Sequence, residues 1–151
     1  MFYFISDEGQ VPYDDARYTT VWEYAEKHHL PILMHTWGRE GEPFRKIAPK
    51  YPHAKFILGH TGGSDAGRQL SLELALLAPN IYLDYCAAFC STLPWYQLAG
   101  KIDRSRLLFG SDAGPHNEAY ELGGFLSMPV PDADLVPILA ESFDKILADR
   151  R

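Results

Sequence analysis

The segment 53-HAKFILGHTGG-63 carries the pattern on which the predicted fold rests. A short apolar run, 56-FIL-58, ends in Gly59 and His60, and a pair of glycines follows after one threonine. A continuous apolar run bounded by glycine is typical of a buried parallel strand. The segment therefore predicts a strand that presents a histidine at its end and then turns tightly into a helix.

The same pattern recurs along the whole chain. Short apolar runs that end in polar or glycine residues alternate with segments of helical periodicity, so the predicted fold class is α/β with parallel βα repeats. The order fits an open doubly wound sheet or part of a (β/α)8 barrel, since a complete barrel needs about 250 residues. One domain is expected over residues 1–151. The predicted strands are 1–6, 31–36, 55–60, 80–85 and 106–112, and the predicted helices are 17–30, 42–51, 64–78, 92–102 and 132–151.

Composition excludes several classes of function. The chain has 151 residues and a formal net charge of −6, which argues against a nucleic-acid-binding surface. No apolar run approaches the roughly 18 residues of a membrane span, and the first ten residues lack a basic region, so we expect no signal peptide and a cytoplasmic protein. Cys86 and Cys90 are expected to be buried free thiols, because an isolated C-x3-C is a weak metal signal.

Three polar residues end successive predicted strands. His35 closes PILMH, His60 closes FILGH and Asp112 closes LFGSD. In parallel α/β folds these strand ends share one edge, where active sites are built. Two imidazoles and a carboxylate suit a divalent metal, with zinc the best fit and manganese or iron left open. The same groups suit general acid–base catalysis.

Neighbouring residues are candidates for a substrate pocket. Thr61, Gly62 and Gly63 precede a predicted helix, whose N-terminus favours an anion, although a tight βα turn explains the glycines equally well. His116 follows Asp112 in a loop, where it lines the pocket, caps a helix or is exposed to solvent. Trp37 follows a strand end, and it either walls the pocket or packs between loops. Tyr85, Phe89 and Trp95 are placed similarly, and ordinary packing is expected of each.

The ordered motifs resemble a known family. PILMHT, HAKFILGHTGG, NIYLDY and RLLFGSDAGP are similar to the C-terminal part of the amidohydrolase-related family, in the branch that contains aminocarboxymuconate semialdehyde decarboxylase and the resorcylate decarboxylases. The resemblance implies a TIM-type barrel with a metal site at its C-terminal rim. It also implies that His35 binds the metal, that Asp112 binds metal or transfers a proton, and that His60 acts as acid or base.

One departure from the family pattern is large. The family's first strand carries a His-x-His pair of metal ligands, and this chain contains no such pair. On the resemblance, residues 1–6 match the fourth strand, so we expect about strands 4–8 of a barrel, as a truncated product, a partial reading frame or a piece of a larger protein. Metal would then bind weakly or be absent. A second copy of the chain, or an N-terminal half, is expected to close the barrel.

Three functions follow as hypotheses. The first is a metal-dependent hydrolase or decarboxylase of a small carboxylated or aromatic substrate. The second is a non-catalytic remnant that lacks part of the metal site. The third is a small α/β domain that binds an anion at the turn formed by Thr61, Gly62 and Gly63, with structural histidines.

Overall fold

The sheet is the organising element of the fold. A computed structural model of the chain describes residues 11–86, 92–114 and 116–151. Within these residues four strands form one parallel sheet in chain order, with Leu58 opposite Leu83 and Leu83 opposite Leu107. The predicted βα repeat is thereby confirmed, while the predicted strand over residues 1–6 lies outside the described residues. The strands are β1 (Pro31–His35), β2 (Lys55–Gly59), β3 (Ile81–Tyr85) and β4 (Leu107–Phe109).

Helices connect the strands and extend the chain beyond them. α5 was not among the predicted helices, yet its signal is present: the Asn117 side chain accepts hydrogen bonds from the backbone N–H groups of Ala119 and Tyr120. A π-helical stretch, Pro137–Glu141, divides the predicted C-terminal helix into two. The helices are α1 (Thr19–His28), α2 (Phe44–Lys50), α3 (Asp65–Leu77), α4 (Thr92–Ala99), α5 (Glu118–Leu126), α6 (Asp132–Val136) and α7 (Ser142–Ala148).

The two faces of the sheet have different neighbours, because successive strand side chains point to opposite sides. On the outer face, Met34, Phe56 and Leu83 are fully buried in the main core. That core receives large side chains from the surrounding helices, including Trp22, Phe44, Leu74, Trp95 and Phe125. Every described strand is therefore covered by helices on this outer face.

The inner face meets the C-terminal end of the chain. Ile146 of α7 is buried against Ile57 and Leu108 of the inner face. Asp149 forms an ion pair with Lys55 at the start of β2, with Nζ and Oδ2 2.8 Å apart. The amide of Arg151 donates to the carbonyl of His28, 3.1 Å away. The C-terminal segment thus packs against part of the inner face, and a cavity remains between the two that reaches the strand ends.

None of the helices in the described part of the chain has the length and apolar character needed to cross a membrane.

Candidate active site at the carboxyl ends of the strands

The structure brings the three strand-end residues together. His35, His60 and Asp112 all line one cavity of about 670 Å³. The rings of His35 and His60 lie edge to face with their centroids 5.0 Å apart. Parallel pairing explains the convergence, since it places the carboxyl ends of neighbouring strands side by side.

The walls of this cavity are mainly apolar. Leu33, Ile57 and Leu108 of the inner face form one side, and Ile138 and Phe143 of the C-terminal segment form the other. Polar groups are concentrated at the strand ends. Apolar walls with a few convergent polar groups, in a volume of several hundred Å³, are typical of sites for small molecules.

A carboxylate orients His35. Its Nδ1 lies 3.1 Å from Oε2 of Glu40, which also accepts a hydrogen bond from the backbone N–H of Trp37. A carboxylate at Nδ1 favours the tautomer with the proton on that nitrogen, which leaves Nε2 basic. The backbone of the same residue is fixed by Tyr13, whose hydroxyl donates to the His35 carbonyl over 2.6 Å. The sequence reading missed Glu40, although a carboxylate five residues after a candidate ligand was an available signal.

His60 lies deeper than His35 and is 6% exposed. Burial lowers its pKa, and the neighbouring His35 lowers it further. The backbone N–H of His60 donates to Sγ of Cys86, and the same sulfur lies 3.2 Å from Nδ1 of the imidazole. A buried imidazole that stays neutral near pH 7 is suited to accept a proton.

The backbone is strained at this site. Among the described non-glycine residues, positive φ angles occur at His29, His60, Thr61 and Asp112, and the last three belong to the site's turns. Thr61 is the most unusual, because β-branched residues rarely adopt φ near 47°. Its hydroxyl donates to the carbonyl of Asp84 over 2.8 Å and accepts from the indole of Trp95 over 3.0 Å. Such strain persists only where the surroundings enforce it, and it is concentrated at functional sites.

The two glycines after Thr61 serve the turn. A Cβ on Gly62 would lie 2.3 Å from the backbone of Gly67, and one on Gly63 would lie 2.1 Å from the ring of Trp37. Both have positive φ, and Thr61 is fully buried. None of the three lines the cavity described above. The tight-turn interpretation accounts for their placement, and their predicted contact with a ligand stays a prediction.

Asp112 and His116 form a pair at the end of β4. Oδ2 of Asp112 and Nε2 of His116 are 3.5 Å apart. Asp112 lines the cavity, whereas His116 lies beside it and is absent from its lining. Trp37 is likewise outside the lining, although its ring lies edge to face with His60 at 5.9 Å. The structure therefore places His116 and Trp37 in contact with the site residues rather than on the cavity wall.

Asp84 is a site residue that the sequence reading missed. It lies in β3, lines the cavity and is 6% exposed. Its pKa is raised to about 7, mainly by burial, with a hydrogen bond from Cys86 acting against the rise and the charge of Asp112 adding to it. Gly110 makes room for it, because a Cβ there would lie 2.9 Å from Oδ1 of Asp84. A carboxylate inside the apolar strand IYLDY was the available signal.

Glu121 is a third carboxylate that the sequence analysis did not identify. It lies in α5, is fully buried, and neither of its carboxylate oxygens has a hydrogen-bond partner in the described part of the protein. Burial raises its pKa, and Asp112 raises it further, while His116 acts in the opposite direction. An unpaired buried carboxylate is costly, and the electrostatic effects of Asp112 and His116 on Glu121 place it near the polar groups of the site.

The remaining residues named from the sequence are the cysteines and several aromatic residues. Cys86 is a buried free thiol, as expected, and Cys90 lies outside the described residues. Tyr85 and Trp95 pack in the core, with ring centroids 5.4 Å apart, so the packing expected of them is confirmed. Phe89 also lies outside the described residues.

The described residues do not by themselves form a complete metal centre. His35 and Asp112 offer an imidazole and a carboxylate of the right chemical type. Yet no group of three or more His, Cys, Asp or Glu side chains in the described part of the chain is arranged to hold a metal ion. The imidazole and carboxylate groups of the site are also of types that perform general acid–base catalysis.

Comparison with known proteins identifies the fold. A family model described as Amidohydrolase matches residues 2–149. An uncharacterized TIM-barrel protein from Bordetella bronchiseptica superposes with a TM-score of 0.78 at 21% identity over 92% of this chain and 53% of that one. A dihydroxybenzoic acid decarboxylase from Polaromonas sp. JS666, solved with manganese and 2-nitroresorcinol, gives 0.71 at 19% identity over 93% and 56%. A 2,6-dihydroxybenzoate decarboxylase in complex with 2,6-dihydroxybenzoate gives 0.69 at 16% identity over 93% and 58%.

The sheet and helices described above thus have the fold of part of a TIM barrel, as predicted. The chain spans little more than half the length of these solved structures. None of the curated proteins matches it.

Proposed function

This chain belongs to the amidohydrolase family, and we propose that its site serves a metal-dependent hydrolase or decarboxylase acting on a small carboxylated or aromatic substrate. The observation that supports this most directly is the convergence of His35, His60 and Asp112 on one cavity. Each residue comes from a different strand end, the position from which barrel enzymes take their catalytic groups.

The residues of the site have distinct proposed roles. His60 is the acid–base group, because its lowered pKa keeps it neutral and able to accept a proton. Asp112 transfers a proton or contributes a metal ligand. His35 offers Nε2, since its Nδ1 faces Glu40. In a decarboxylation the bond between the ring carbon and the carboxyl carbon breaks, and carbon dioxide leaves. A proton delivered by His60 or Asp112 then bonds to that ring carbon.

A divalent metal is part of the proposed site. One similar structure was solved with manganese. His35 and Asp112 are the described residues that would contribute to such a site, and ligands beyond them have to come from elsewhere. Zinc fits an imidazole and a carboxylate best, and manganese and iron are the alternative metals that elemental analysis would distinguish from it.

The substrate class is proposed from the cavity and from the similar proteins. A volume of about 670 Å³ with mainly apolar walls accommodates a single substituted aromatic ring. Two similar structures are decarboxylases of dihydroxybenzoic acids. We therefore take 2,6-dihydroxybenzoate as the first compound to test. A cytoplasmic location is part of the proposal, in keeping with the free thiol of Cys86.

We also propose that further protein completes the open sheet. β1 is at the edge of the described sheet, and an apolar groove of about 440 Å³ runs beside it, lined by Val21, Tyr24, Ile32 and Leu33 among others. A strand edge next to exposed apolar surface is a site for association. The occupant we propose is a second copy of the chain, with a separate N-terminal half as the alternative outcome. Light scattering of the purified chain decides this, and a monodisperse monomer contradicts closure by a second copy.

Turnover and metal content of the purified chain test the proposal together. We expect the purified chain to convert 2,6-dihydroxybenzoate to resorcinol and carbon dioxide, and chromatography measures the resorcinol formed. We also expect elemental analysis to find a divalent metal in the protein. Replacing the general acid–base group, His60→Gln, is expected to lower turnover by roughly 10²- to 10⁴-fold with the metal content unchanged. Asp112→Ala is expected to lower both.

A matched control separates these effects from a general loss of structure. His53 is a surface histidine whose side chain is 60% exposed, so His53→Gln should leave turnover and metal content as they are. If Asp112→Ala leaves both unchanged, the assignment of the site is wrong. A folded protein that has neither metal nor turnover favours the non-catalytic remnant.

A further inference from the structure

Cys86 lies between His60 and Asp84. The three residues come from two neighbouring strand ends: His60 follows β2, Asp84 is in β3, and Cys86 follows β3. Asp84 and Cys86 are two residues apart, and both line the cavity, as the alternation of side chains along an extended chain predicts. The intervening Tyr85 points into the aromatic core instead.

The sulfur of Cys86 makes two contacts with the same histidine. It accepts a hydrogen bond from the backbone N–H of His60 over 3.2 Å, and it lies 3.2 Å from Nδ1 of the ring. These contacts hold the imidazole from its backbone and from one ring nitrogen at once. Cys86 is 5% exposed, so water does not compete for them.

The contact between Sγ of Cys86 and Nδ1 of His60 has one donor and one acceptor. Which of the two atoms carries the hydrogen determines which ring nitrogen of His60 is basic. A thiol has one hydrogen, and two acceptors are within its reach: Nδ1 of His60 and the carboxylate of Asp84. An ionised carboxylate is the stronger acceptor. When the thiol donates to Asp84, its sulfur faces Nδ1 with a lone pair, and the contact is favourable only if Nδ1 carries a proton.

We propose that Cys86 is a positioning residue that holds the His60 imidazole in the tautomer protonated on Nδ1, which leaves Nε2 as the basic nitrogen. Asp84 completes this series of hydrogen bonds by accepting the thiol hydrogen. The catalytic meaning of the arrangement rests on the acid–base role proposed for His60. The arrangement itself is a property of the folded chain and can be measured without substrate or metal.

The test is the tautomer of His60 in the chain of residues 1–151, read from long-range ¹H–¹⁵N correlation spectra of ¹⁵N-histidine-labelled protein treated with a chelator. His60→Gln assigns the signal by its disappearance. Burial raises the pKa of Asp84 to about 7, so the spectra are recorded at pH 8, where the carboxylate is mostly ionised. We expect wild-type His60 to show a protonated Nδ1 and an unprotonated Nε2.

Two substitutions at Cys86 distinguish the effect of its hydrogen bonds from the effect of its side-chain volume. Cys86→Ser keeps a donor and acceptor and should keep the tautomer. Cys86→Ala removes them, and His60 should shift toward the form protonated on Nε2, while the signal of the remote surface residue His53 stays unchanged. If turnover is present, Cys86→Ala should lower it by about 10- to 100-fold and Cys86→Ser should restore most of it.

A wild-type His60 protonated on Nε2 would overturn the proposal, as would a Cys86→Ala spectrum identical to that of the wild type. Should Cys86→Ala fail to fold, Asp84→Leu provides the same test, because leucine has no acceptor and leaves the thiol free to donate to Nδ1. An unchanged tautomer in Asp84→Leu then contradicts the proposal. Absence of turnover in every variant counts against the proposed enzyme and leaves the tautomer result standing.

Discussion

His35 and His60 lie edge to face at the ends of neighbouring strands, with ring centroids 5.0 Å apart. Each ring has a different hydrogen-bonding partner: His35 faces the carboxylate of Glu40, and His60 faces the sulfur of Cys86. Two imidazoles at this distance cannot both be charged without mutual repulsion, which contributes to the lowered pKa of His60. The two imidazoles therefore differ: that of His35 lies beside a carboxylate, and that of His60 is a buried, neutral base.

Substitution of Gly110 should displace Asp84 from its site. In Gly110→Ala the new Cβ would lie 2.9 Å from Oδ1 of Asp84, inside van der Waals contact. We expect a loss of about 1–3 kcal/mol in the free energy of unfolding, measured by urea denaturation. Gly123→Ala is the matched control, since nothing lies within 4 Å of its Cβ and it is in α5. That variant should be unchanged or up to about 1 kcal/mol more stable, because alanine favours helix. Equal stabilities for the two variants would contradict the packing described for Asp84.

A pair of glycines tests the strained turn after β2. Gly63 and Gly38 both have positive φ, at 61° and 55°, so alanine is conformationally unfavourable at each. A Cβ on Gly63 would lie 2.1 Å from the ring of Trp37, whereas nothing lies within 4 Å of a Cβ on Gly38. We therefore expect Gly63→Ala to lower the free energy of unfolding by about 1–3 kcal/mol more than Gly38→Ala does. Thermal denaturation followed by circular dichroism gives the comparison, and a larger loss in Gly38→Ala would show that the turn is packed differently.

The stability of the protein should depend on pH through Asp84. Its pKa rises from an ordinary value of 3.8 to about 7 in the folded protein, mainly through burial. Between these values the folded state keeps a proton that the unfolded state has released, so stability falls as pH rises from about 4 to about 7 and is then constant. The loss is at most roughly 4 kcal/mol, since each pH unit corresponds to about 1.4 kcal/mol.

Asp84→Asn removes this contribution. The difference in unfolding free energy between Asp84→Asn and the wild type should therefore increase from pH 4 to pH 7 in favour of the variant, and should stay level from pH 7 to pH 8. Urea denaturation at these three pH values provides the measurement. A difference that does not change with pH would show that Asp84 titrates alike in both states.

Ile146 should be important for stability because it covers the inner face of the sheet. It is 2% exposed and packs against Ile57 and Leu108. Ile146→Ala is expected to lower the free energy of unfolding by about 2–5 kcal/mol, since it leaves a cavity on an apolar surface. The control is Leu76→Ala on α3, where the leucine is 62% exposed and the change should stay within about 0.5 kcal/mol. If Ile146→Ala behaves like this control, the C-terminal segment does not cover the inner face in solution.

Much of the fold was predictable because its signals are local. The runs PILMH and FILGH read as strands from their apolar character, and the polar residues at their ends placed His35, His60 and Asp112 on one edge. Ser64 stands at the start of the predicted helix 64–78, and its side chain accepts a hydrogen bond from the amide of Gly67, as a helix-capping serine does. Glu40 and Glu121 escaped notice because a carboxylate in a polar loop or an amphipathic helix looks like ordinary surface in sequence.

Local patterns in the sequence were enough to predict the order of the βα units and the chemical groups at the strand ends, because periodicity and strand-end position are properties of neighbouring residues. The three-dimensional fold was needed to see that Asp84 is a buried cavity carboxylate, that Cys86 contacts His60, and that Ile146 reaches the inner face. Those contacts join residues distant in the chain. They depend on parallel register and on the path of the C-terminal segment, neither of which leaves a pattern in the sequence.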